Sequence, residues 1–401
     1  MRRDADVIVV GAGPAGAAAS ILLAEHGLAV ITLDRARFPR DKICGEYLSP
    51  EAGRVLDRLG VLKTLDGAGA VPLAGMRITA PDGTRLQGMY GPRGDFRPYR
   101  GHALGVFRTV LDGVLADRLR ALGVDFREHV RVTDVVRAGG DVTGVRATDE
   151  HGAALTLHAP MVMGADGRAS VVAQRLGCRH PHRLRRMAVT TYVAGIDGCR
   201  DFGEIFIDPP DYAILNPLAP DRVNLSLVVP LEHAAPWSPR LARFLEARVK
   251  QMPHLARRVA GARLVAPVQA MGPLAYRVSA PREGGVLLVG DAAGFYDPFT
   301  GEGIFTALRS AELAVDVAVH AVRTGDVSPR TLARYHRERA AAFNDKTKVT
   351  RALQVLIRHR RLANIAAHVL ARRQPLLDTM LGVIGDYVPP RALLRSALGR
   401  A

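Results

Sequence analysis

Three glycines near the N-terminus have the spacing that lets a backbone bind phosphate. Gly11, Gly13 and Gly16 lie in the segment GAGPAG, in the pattern Gly-x-Gly-x-x-Gly. Gly11 allows a tight turn, Gly13 lets the backbone approach a pyrophosphate, and Gly16 lets a helix pack closely on a strand. Asp34 follows Gly16 by eighteen residues, where a carboxylate can accept hydrogen bonds from ribose hydroxyls. The pattern predicts a dinucleotide site but does not distinguish FAD from NAD.

Regular secondary structure is predicted on both sides of this glycine loop. The apolar segment DVIVV at 6–10 is typical of a buried parallel strand. AAASILLAEHG follows the loop and predicts a helix that ends at Gly27, and LAVITLDR predicts a second strand that ends at Asp34. A helix N-terminus directly after the glycines attracts an anion. The order of strand, glycine loop, helix, strand and acid favours a dinucleotide fold over a simple glycine-rich turn.

Two later segments indicate that the dinucleotide is FAD. VLLVGDAAGFYDPFTGEG, residues 286–303, reads as a buried strand that ends at Asp291, followed by small residues and a helix. A carboxylate at such a strand end can bind ribityl hydroxyls, and the following helix directs its positive end at the flavin N1–C2=O region. MVMGADGRAS, residues 161–170, reads as another strand, which ends in a Gly-Ala-Asp-Gly turn that contains Asp166.

Cys44 lies in a basic loop, RFPRDKICGEYLSP, soon after the second predicted strand. The other cysteines, Cys178 and Cys199, are distant in sequence, and no pair has the spacing of a metal site or a disulfide framework. No metal ligand set is predicted, and a reducing cytoplasm is the expected compartment. For Cys44, a redox-active or substrate-activating role stays open beside a packing role in the wall of a binding site.

The formal net charge of +16 is contributed mainly by the C-terminal part of the chain. Residues 330–401 hold 15 arginines and lysines against four acids, on helical segments that Pro375, Pro389 and Pro390 interrupt. Such a tail can form a solvated helical face, cap a cavity or lie on an anionic membrane surface. Nucleic acid is not an expected partner, because aromatic residues are only 5% of the chain and no nucleic-acid motif is present.

GAGPAG with Asp34, GADG at 164–167 and GDAAGFYDPFTGEG at 290–303 together resemble the motifs of a large flavoprotein superfamily. This superfamily includes p-hydroxybenzoate hydroxylase-type monooxygenases, flavin-dependent halogenases and geranylgeranyl reductases. The resemblance implies an α/β fold with a Rossmann-like, GR2-type FAD-binding domain, a β-rich substrate domain and a helical C-terminal region. The residues that it assigns to FAD are Gly11, Gly13, Ala15, Gly16, Asp34, Arg35, Cys44, Gly45, Arg108, Val132, Asp166, Asp291, Gly301, Gly303 and Ile304.

Some of these residues are assigned to particular parts of FAD by the same resemblance. Asp291, Gly303 and Ile304 would meet the ribityl and ring end of the cofactor. The segment KICG matches the Lys-x-Cys-Gly loop of geranylgeranyl reductases, which implies that Cys44 lies close to the isoalloxazine ring. Val132, in the predicted strand VDFREHVRV, would pack near the adenine.

The resemblance and the hydrophobic pattern divide the chain into three regions. Residues 1–185 with 281–325 form a discontinuous FAD-binding domain, which includes substrate-side strands from about 70–105. Residues 186–280 alternate apolar and polar positions, which predicts a β-rich domain and one wall of a substrate cavity. Residues 326–401 form the helical C-terminal region. Few charges point into the predicted wall, so we expect a hydrophobic small-molecule substrate.

Two branches of the superfamily have signature residues on the substrate side, and this chain departs from both. A single tryptophan, Trp237, disfavours a tryptophan-type halogenase, which would carry a Trp-x-Trp-x-x-Pro segment. The reductase segment Tyr-x-Trp-x-Phe-Pro is matched by Tyr212 and Pro217 in DYAILNPL. Its tryptophan and phenylalanine positions are occupied by Ile214 and Asn216, so the aromatic lining of a prenyl tunnel is partly lost.

The candidate catalytic residues are His102, Tyr212 and Cys44. His102 precedes Arg108, the residue at a helix start that would contact FAD, and this order would place the imidazole near the flavin ring. His102 and Tyr212 are the side chains that could act as acid–base or orienting groups, although Tyr212 could simply line the cavity.

The reaction that we expect from these features is monooxygenation. Aromatic hydroxylases usually carry His and Asn where this chain has Gly294 and Phe305, so the substrate cannot be transferred from that branch. We expect an FAD-dependent, NAD(P)H-driven hydroxylase or epoxidase of a hydrophobic aromatic, polyketide or isoprenoid secondary metabolite. The alternatives are a geranylgeranyl or prenyl reductase, which acts on C=C bonds, and a non-catalytic flavin redox relay. The expected location is cytoplasmic, with peripheral contact at the inner face of the membrane as a further alternative. The oligomeric state is not predicted.

Overall fold

The computed structural model describes residues 3–397 of the chain, which form both strands and helices. Residues 1–2 and 398–401, at the ends of the first and last predicted regions, lie outside the described residues. The strands are β1 (Val7–Val10), β2 (Val30–Leu33), β3 (Tyr47–Leu48), β4 (Val71–Leu73), β5 (Gly75–Thr79), β6 (Arg85–Met89), β7 (Ala103–Gly105), β8 (Asp125–Arg127), β9 (Arg131–Ala138), β10 (Asp141–Thr148), β11 (Ala154–His158), β12 (Met161–Gly164), β13 (Arg179–Pro181), β14 (Arg186–Ala194), β15 (Phe202–Asp208), β16 (Asp211–Ala219), β17 (Arg222–Pro230), β18 (Arg263–Leu264), β19 (Gln269–Met271), β20 (Tyr276–Val278) and β21 (Val286–Leu288). The helices are α1 (Pro14–Glu25), α2 (Ala52–Arg58), α3 (Leu62–Gly67), α4 (Arg108–Ala121), α5 (Val171–Arg175), α6 (Leu231–Ala234), α7 (Leu241–Gln251), α8 (Pro253–Arg258), α9 (Gly303–Thr324), α10 (Pro329–Leu356), α11 (Arg360–Ala371), α12 (Gln374–Ile384) and α13 (Arg391–Ala397).

A parallel sheet in the order β21-β12-β1-β2-β8 supports the glycine loop. Its central strand β1 is buried on both faces, as the uninterrupted apolar run predicts. Val7 and Val9 pack with α1 and α9, whereas Ile8 and Val10 pack with β9, β10 and β11. The predicted α/β fold class with a Rossmann-like core is therefore confirmed.

A larger sheet in the order β18-β14-β17-β16-β15-β5-β6, with β19 paired to β14, forms the second layer. Strands β14 to β17 pair antiparallel, as the alternating pattern predicts. Strand β15 pairs parallel with β5, so that residues 75–89 extend this sheet. Residues 231–258 depart from the strand pattern and form α6, α7 and α8, whose Phe244 and Leu255 pack with Leu227 of the sheet. The boundaries of the three regions stay predictions.

The C-terminal helices cover the large sheet. Ile357 at the end of α10, Ala367 of α11 and Leu381 of α12 share one apolar cluster with Ile78 of β5 and Leu86 of β6. The structure therefore places this region over the sheet face that was predicted to line a cavity. Within residues 3–397, no helix is long and apolar enough to cross a membrane.

Local sequence signals explain where these helices begin and end. Ser328 caps α10 by accepting a hydrogen bond from the N–H of Thr331, and Pro329 occupies the first turn. Gly325 ends α9 with a φ of +71°, in the left-handed region that glycine enters without strain. Pro375 lies at the start of α12, as predicted for a proline that separates two helices.

The segment VDFREHVRV is not the single strand that we predicted. It divides into β8, in the parallel sheet, and β9, in the sheet beside it. His129 lies between them with a φ of +57°, and this left-handed residue redirects the backbone from one sheet to the other. Alternating apolar residues are equally compatible with one long strand and with two short ones.

Candidate active site

A cavity of about 1050 Å³ runs between the parallel sheet, the large sheet and the C-terminal helices. Its volume lies at the upper end of the roughly 300–1,000 Å³ that is usual for ligand pockets. One end is lined by the glycine loop, and the other end is lined by side chains of the large sheet and of α10, α11 and α12. We call these the dinucleotide end and the apolar end.

The glycine loop at the dinucleotide end is held by close backbone contacts. A Cβ on Gly16 would lie 1.7 Å from the Gly11 carbonyl oxygen, so only glycine lets α1 pack against the loop. Asp34 Oδ2 accepts a hydrogen bond from the N–H of Ala12 at 2.8 Å, and Asp34 Oδ1 accepts one from Ala36 at 2.9 Å. The predicted acid therefore also fixes the shape of the loop.

The structure brings almost all of the predicted cofactor residues together around this cavity. Gly16 is the exception, because it lies behind the loop as a packing residue. The predicted residues in the cavity wall are Gly11, Gly13, Ala15, Asp34, Arg35, Cys44, Gly45, Arg108, Val132, Asp166, Asp291, Gly301, Gly303 and Ile304. Their individual contacts with FAD stay predictions.

The polar groups in this wall fit a flavin dinucleotide. Asp166 Oδ2 accepts a hydrogen bond from the N–H of Val171 at 2.7 Å, but its Oδ1 is buried and has no partner among the described residues. Such an acceptor is satisfied when a ligand hydroxyl reaches it. Asp291 lies in the same wall, where burial raises the pKa of its carboxyl and Lys42 opposes that rise.

Positive charge also accumulates at the dinucleotide end, beyond what the motifs predicted. Arg40, Lys42 and Arg168 line the cavity together with Arg108, whose Nη2 forms an ion pair with Asp112 Oδ2 at 2.9 Å. Burial and the neighbouring Arg108 lower the pKa of Lys42. Cations in this arrangement suit the diphosphate or the electron-rich ring of a reduced flavin. Lys42 was part of the KICG match but was not predicted as a site residue.

Cys44 lies in the cavity wall as a free, half-buried cysteine. It packs against the apolar core around α1 and α9, and its Sγ accepts a hydrogen bond from the N–H of Glu46 at 3.3 Å. The Arg108 guanidinium also interacts with the thiol. The contacts with the core and with Arg108 are compatible with both predicted roles of Cys44, which stay predictions.

Glu46 is the functional candidate that the sequence analysis missed. Glu46 is buried and lines the cavity, and its backbone has a φ of +56°, an uncommon value for a residue with a side chain. Glu46 Oε1 accepts hydrogen bonds from the N–H of Arg108 at 2.8 Å and from the Tyr192 hydroxyl at 2.9 Å. Asn224 Nδ2 donates to Glu46 Oε2 at 3.0 Å. Burial raises the pKa of this carboxyl, and the three donors oppose the rise.

A row of polar side chains continues from Glu46 across the large sheet. The Ser226 hydroxyl donates to Asn224 Oδ1 at 2.7 Å, and Thr190 Oγ1 lies 3.1 Å from Ser226 Oγ. Thr190 and Ser226 face each other on β14 and β17, and both line the cavity. This row marks the boundary between the dinucleotide end and the apolar end.

The apolar end is lined by aliphatic and aromatic side chains from both layers. The sheet and the loops beside it contribute Met76, Ile78, Leu86, Ala188, Ile205, Ile207, Ile214, Val228, Met271, Leu274, Phe295 and Phe299. The C-terminal helices contribute Leu353, Leu356, Ile357, Ala363, Ala366, Ala367, Leu370, Met380, Leu381 and Ile384. A ligand at this end would therefore be bound by shape and apolar contact rather than by charge.

Neither His102 nor Tyr212 lies in the cavity wall. His102 lies in the loop before β7, where burial and Arg100 lower the pKa of its ring. Tyr212 is fully buried behind Phe299, and its hydroxyl donates to Asp297 at 2.6 Å. The predictions that His102 lies near the ring and that Tyr212 lines the cavity are therefore wrong. The loop before β7 that holds His102 lies outside the wall. Tyr212 shares its face of β16 with the cavity residue Ile214, but the ring of Phe299 lies against it and takes its place in the wall.

Two buried polar networks join the C-terminal helices to the loop that contains Gly301 and Gly303. Gln354 of α10 donates to Asp297 Oδ1 at 2.6 Å and accepts a hydrogen bond from Arg186 at 2.9 Å. Lys346 Nζ, also on α10, lies 2.8 Å from Glu302 Oε2 and forms a second ion pair with Asp386. These contacts hold α10 and the residues after α12 against the loop between β21 and α9.

Comparison with known proteins agrees with this geometry. The family described as "FAD binding domain" matches residues 4–350. Digeranylgeranylglycerophospholipid reductase of Methanothrix thermoacetophila is 31% identical over 83% of this chain and 82% of that protein. Menaquinone reductase of Mycolicibacterium smegmatis is 28% identical over 97% of this chain and 93% of that protein. A flavin-dependent brominase shares the fold, with a TM-score of 0.84 and 20% identity over 98% of both proteins. This chain belongs to the FAD binding domain family and is an FAD-dependent oxidoreductase.

Proposed function

We propose that this flavoprotein reduces carbon–carbon double bonds in an isoprenoid chain. The observation that carries the proposal is the apolar end of the cavity, which adjoins the predicted flavin residues and is lined by aliphatic and aromatic side chains. An isoprenoid tail needs only a long apolar channel. The two relatives compared above, which are named as reductases, support the same proposal.

The dinucleotide end would hold FAD through the glycine loop, Asp34, Asp166, Asp291 and the backbone at Gly301–Ile304. When bound and reduced, FAD supplies a hydride to one carbon of the double bond. We propose NAD(P)H as the electron donor, which would visit the flavin transiently. The other carbon of the double bond requires a proton, and this protein must deliver it.

Glu46 has the properties of that proton source. Burial raises the pKa of its carboxyl, so that the group can carry a proton closer to neutral pH than an exposed glutamate can. Glu46 lines the cavity, and its carboxyl is linked through Asn224 to the polar row that ends at Thr190 and Ser226. Tyr192, which is only half-buried, donates to Glu46 Oε1 and connects the carboxyl to the protein surface for reprotonation.

The test is an anaerobic single turnover. The purified protein with bound FAD is reduced with dithionite and mixed with geranylgeranyl compounds or menaquinone. Reoxidation of the flavin without oxygen, with one double bond of the substrate saturated by one H2 for each reduced flavin consumed, is the expected result. If the flavin stays reduced with every isoprenoid compound and NAD(P)H-dependent product forms only with oxygen, the reductase proposal is wrong.

The monooxygenase expected from the sequence is the second candidate. The same apolar wall could hold an aromatic, polyketide or isoprenoid metabolite for hydroxylation or epoxidation, and neither reaction requires a charged group at that end of the cavity. Turnover under labelled oxygen gas distinguishes the two reactions, because a monooxygenase product carries one atom of the label. Turnover of either kind excludes a purely non-catalytic redox relay.

A further inference from the structure

Helix α11 exposes a row of large apolar side chains on its outer face. Leu362, Ile365 and Val369 have exposed fractions of 41%, 60% and 45%, and their spacing places them on one side of the helix. Val355, near the end of α10, is also exposed, at 53%. Of the seven exposed large hydrophobic residues in the described part of the protein, these are four, so the exposure is concentrated between 355 and 369.

The inner face of the same helix lines the apolar end of the cavity. Ala363, Ala366, Ala367 and Leu370 are all cavity residues. Three of them are alanines, so α11 is a thin wall between the cavity and the exposed apolar row. A surface bound to the outer face of α11 would therefore lie one helix away from the interior of the cavity.

Basic residues surround this row, and acids are absent from it in sequence. Between Asp345 and Asp378 the sequence has eight arginines and lysines and no aspartate or glutamate. Arg358, Arg361 and Arg372 are exposed on α11 or beside its ends and form no ion pair with a carboxylate of the described residues. An apolar row flanked by unpaired arginines is the pattern of a helix that lies in the interface of an anionic bilayer.

We propose that the outer face of α11 docks on an anionic lipid membrane. Leu362, Ile365 and Val369 enter the acyl boundary, and the flanking arginines contact lipid phosphates. Given the proposed reaction on an isoprenoid, docking also places the cavity beside the bilayer in which such substrates dissolve. Asp208 and Asp82 pair with Arg360 and His368 of α11, whereas the three arginines named above have no carboxylate partner among the described residues and can contact lipid phosphates.

The experiment is flotation of the full-length protein with bound FAD on lipid vesicles, without substrate. We expect flotation with vesicles of phosphatidylglycerol mixed with phosphatidylcholine, little with phosphatidylcholine alone, and weakening by salt. The double variant Leu362→Asp with Ile365→Asp should bind at least about tenfold more weakly, because two charges enter the apolar interface. Leu264→Asp is the matched control, since Leu264 is 51% exposed on β18 and should float like wild type.

Three results would overturn the proposal. Wild-type protein could fail to float on either kind of vesicle, or the α11 variant could float as well as the Leu264→Asp control. Wild type could also be a dimer that Ile365→Asp converts to a monomer, which would assign the apolar row to a second copy of the protein. Flavin absorbance and melting temperature verify that each variant is folded. Because binding is measured without turnover, this outcome and that of the reductase assay are independent.

Discussion

The backbone N–H of Arg108 donates a hydrogen bond to Glu46 Oε1 at 2.8 Å, which joins the start of α4 to the loop that contains Cys44. The N-terminus of a helix is also an electropositive position, which favours a carboxylate beside it. Glu46 is therefore held by a fixed backbone donor while burial raises the pKa of its carboxyl. A fixed orientation and a raised pKa are the two properties that a buried proton donor needs.

Replacing Glu46 by glutamine should slow product formation while leaving FAD bound. We expect a loss of roughly 10²–10⁴-fold in the single-turnover rate, the range for removing a general acid. Mass spectrometry of the product gives the rate, and flavin absorbance gives the cofactor content. Glu51→Gln is the control, because Glu51 lies outside the cavity and pairs with Arg54. A Glu46→Gln protein that keeps the wild-type rate would remove Glu46 from the mechanism.

Replacing Tyr192 by phenylalanine should move the pH dependence of the same step. The Tyr192 hydroxyl donates to Glu46 and lowers the pKa of that carboxyl, so its removal raises the pKa further. A step that needs protonated Glu46 slows as pH rises through this pKa. The falling limb of the pH–rate profile should therefore move to higher pH. Single-turnover rates measured over a range of pH locate this falling limb. A limb that moves to lower pH, or one that persists in Glu46→Gln, would contradict this assignment.

Tyr212→Phe should reduce stability and leave catalysis nearly unchanged. Removing the hydroxyl takes one donor from the buried Asp297, which costs about 1–3 kcal/mol in the free energy of unfolding. Denaturant titration of the FAD-bound protein measures that loss. Tyr99→Phe removes a surface hydrogen bond to Asp57 and should have a much smaller effect. Should Tyr212→Phe abolish activity at unchanged stability, the tyrosine would have a catalytic role after all.

Ala366→Phe should change the isoprenoid length that the enzyme accepts. The larger side chain would enter the apolar end of the cavity, so that kcat/KM for the longest isoprenoid falls by about tenfold or more while short compounds lose little. Kinetics with a series of prenyl lengths measure the selectivity. Ala371→Phe, on the exposed end of the same helix, should leave the series unchanged. Equal losses for all lengths would show that the apolar end does not hold the isoprenoid.

The dinucleotide end could be predicted because its determinants are local. Gly11, Gly16 and Asp34 belong to one short strand–helix–strand unit, so spacing alone brings them together. Asp291 and Gly303 likewise belong to one short segment, in which a strand is followed by a loop and a helix. In each case the loop geometry follows from glycine positions that the sequence displays directly.

Glu46 could not be recognised in the same way, because its environment is assembled from distant strands. Tyr192 and Asn224 lie 146 and 178 residues further along the sequence, and their register across β14 and β17 decides that they meet the carboxyl. The available signal was an acid directly after Cys44-Gly45 in a loop already predicted to line the flavin. Tyr212 failed for a related reason. Alternation places it on the same sheet face as the cavity residue Ile214, but Phe299, from a loop distant in sequence, covers it.

The hydrogen-bond and ion-pair networks at Asp297 and Glu302 couple the position of the C-terminal helices to the shape of the loop between β21 and α9. Gln354 and Lys346 keep their partners Asp297 and Glu302 only while the segment before Gly303 holds the shape described above. FAD that binds this shape of the segment would therefore also favour the packed position of the C-terminal helices, and that packing would favour FAD binding by the same factor. A protein that has lost its flavin would thus release its C-terminal helices more readily, and proteolysis would begin there.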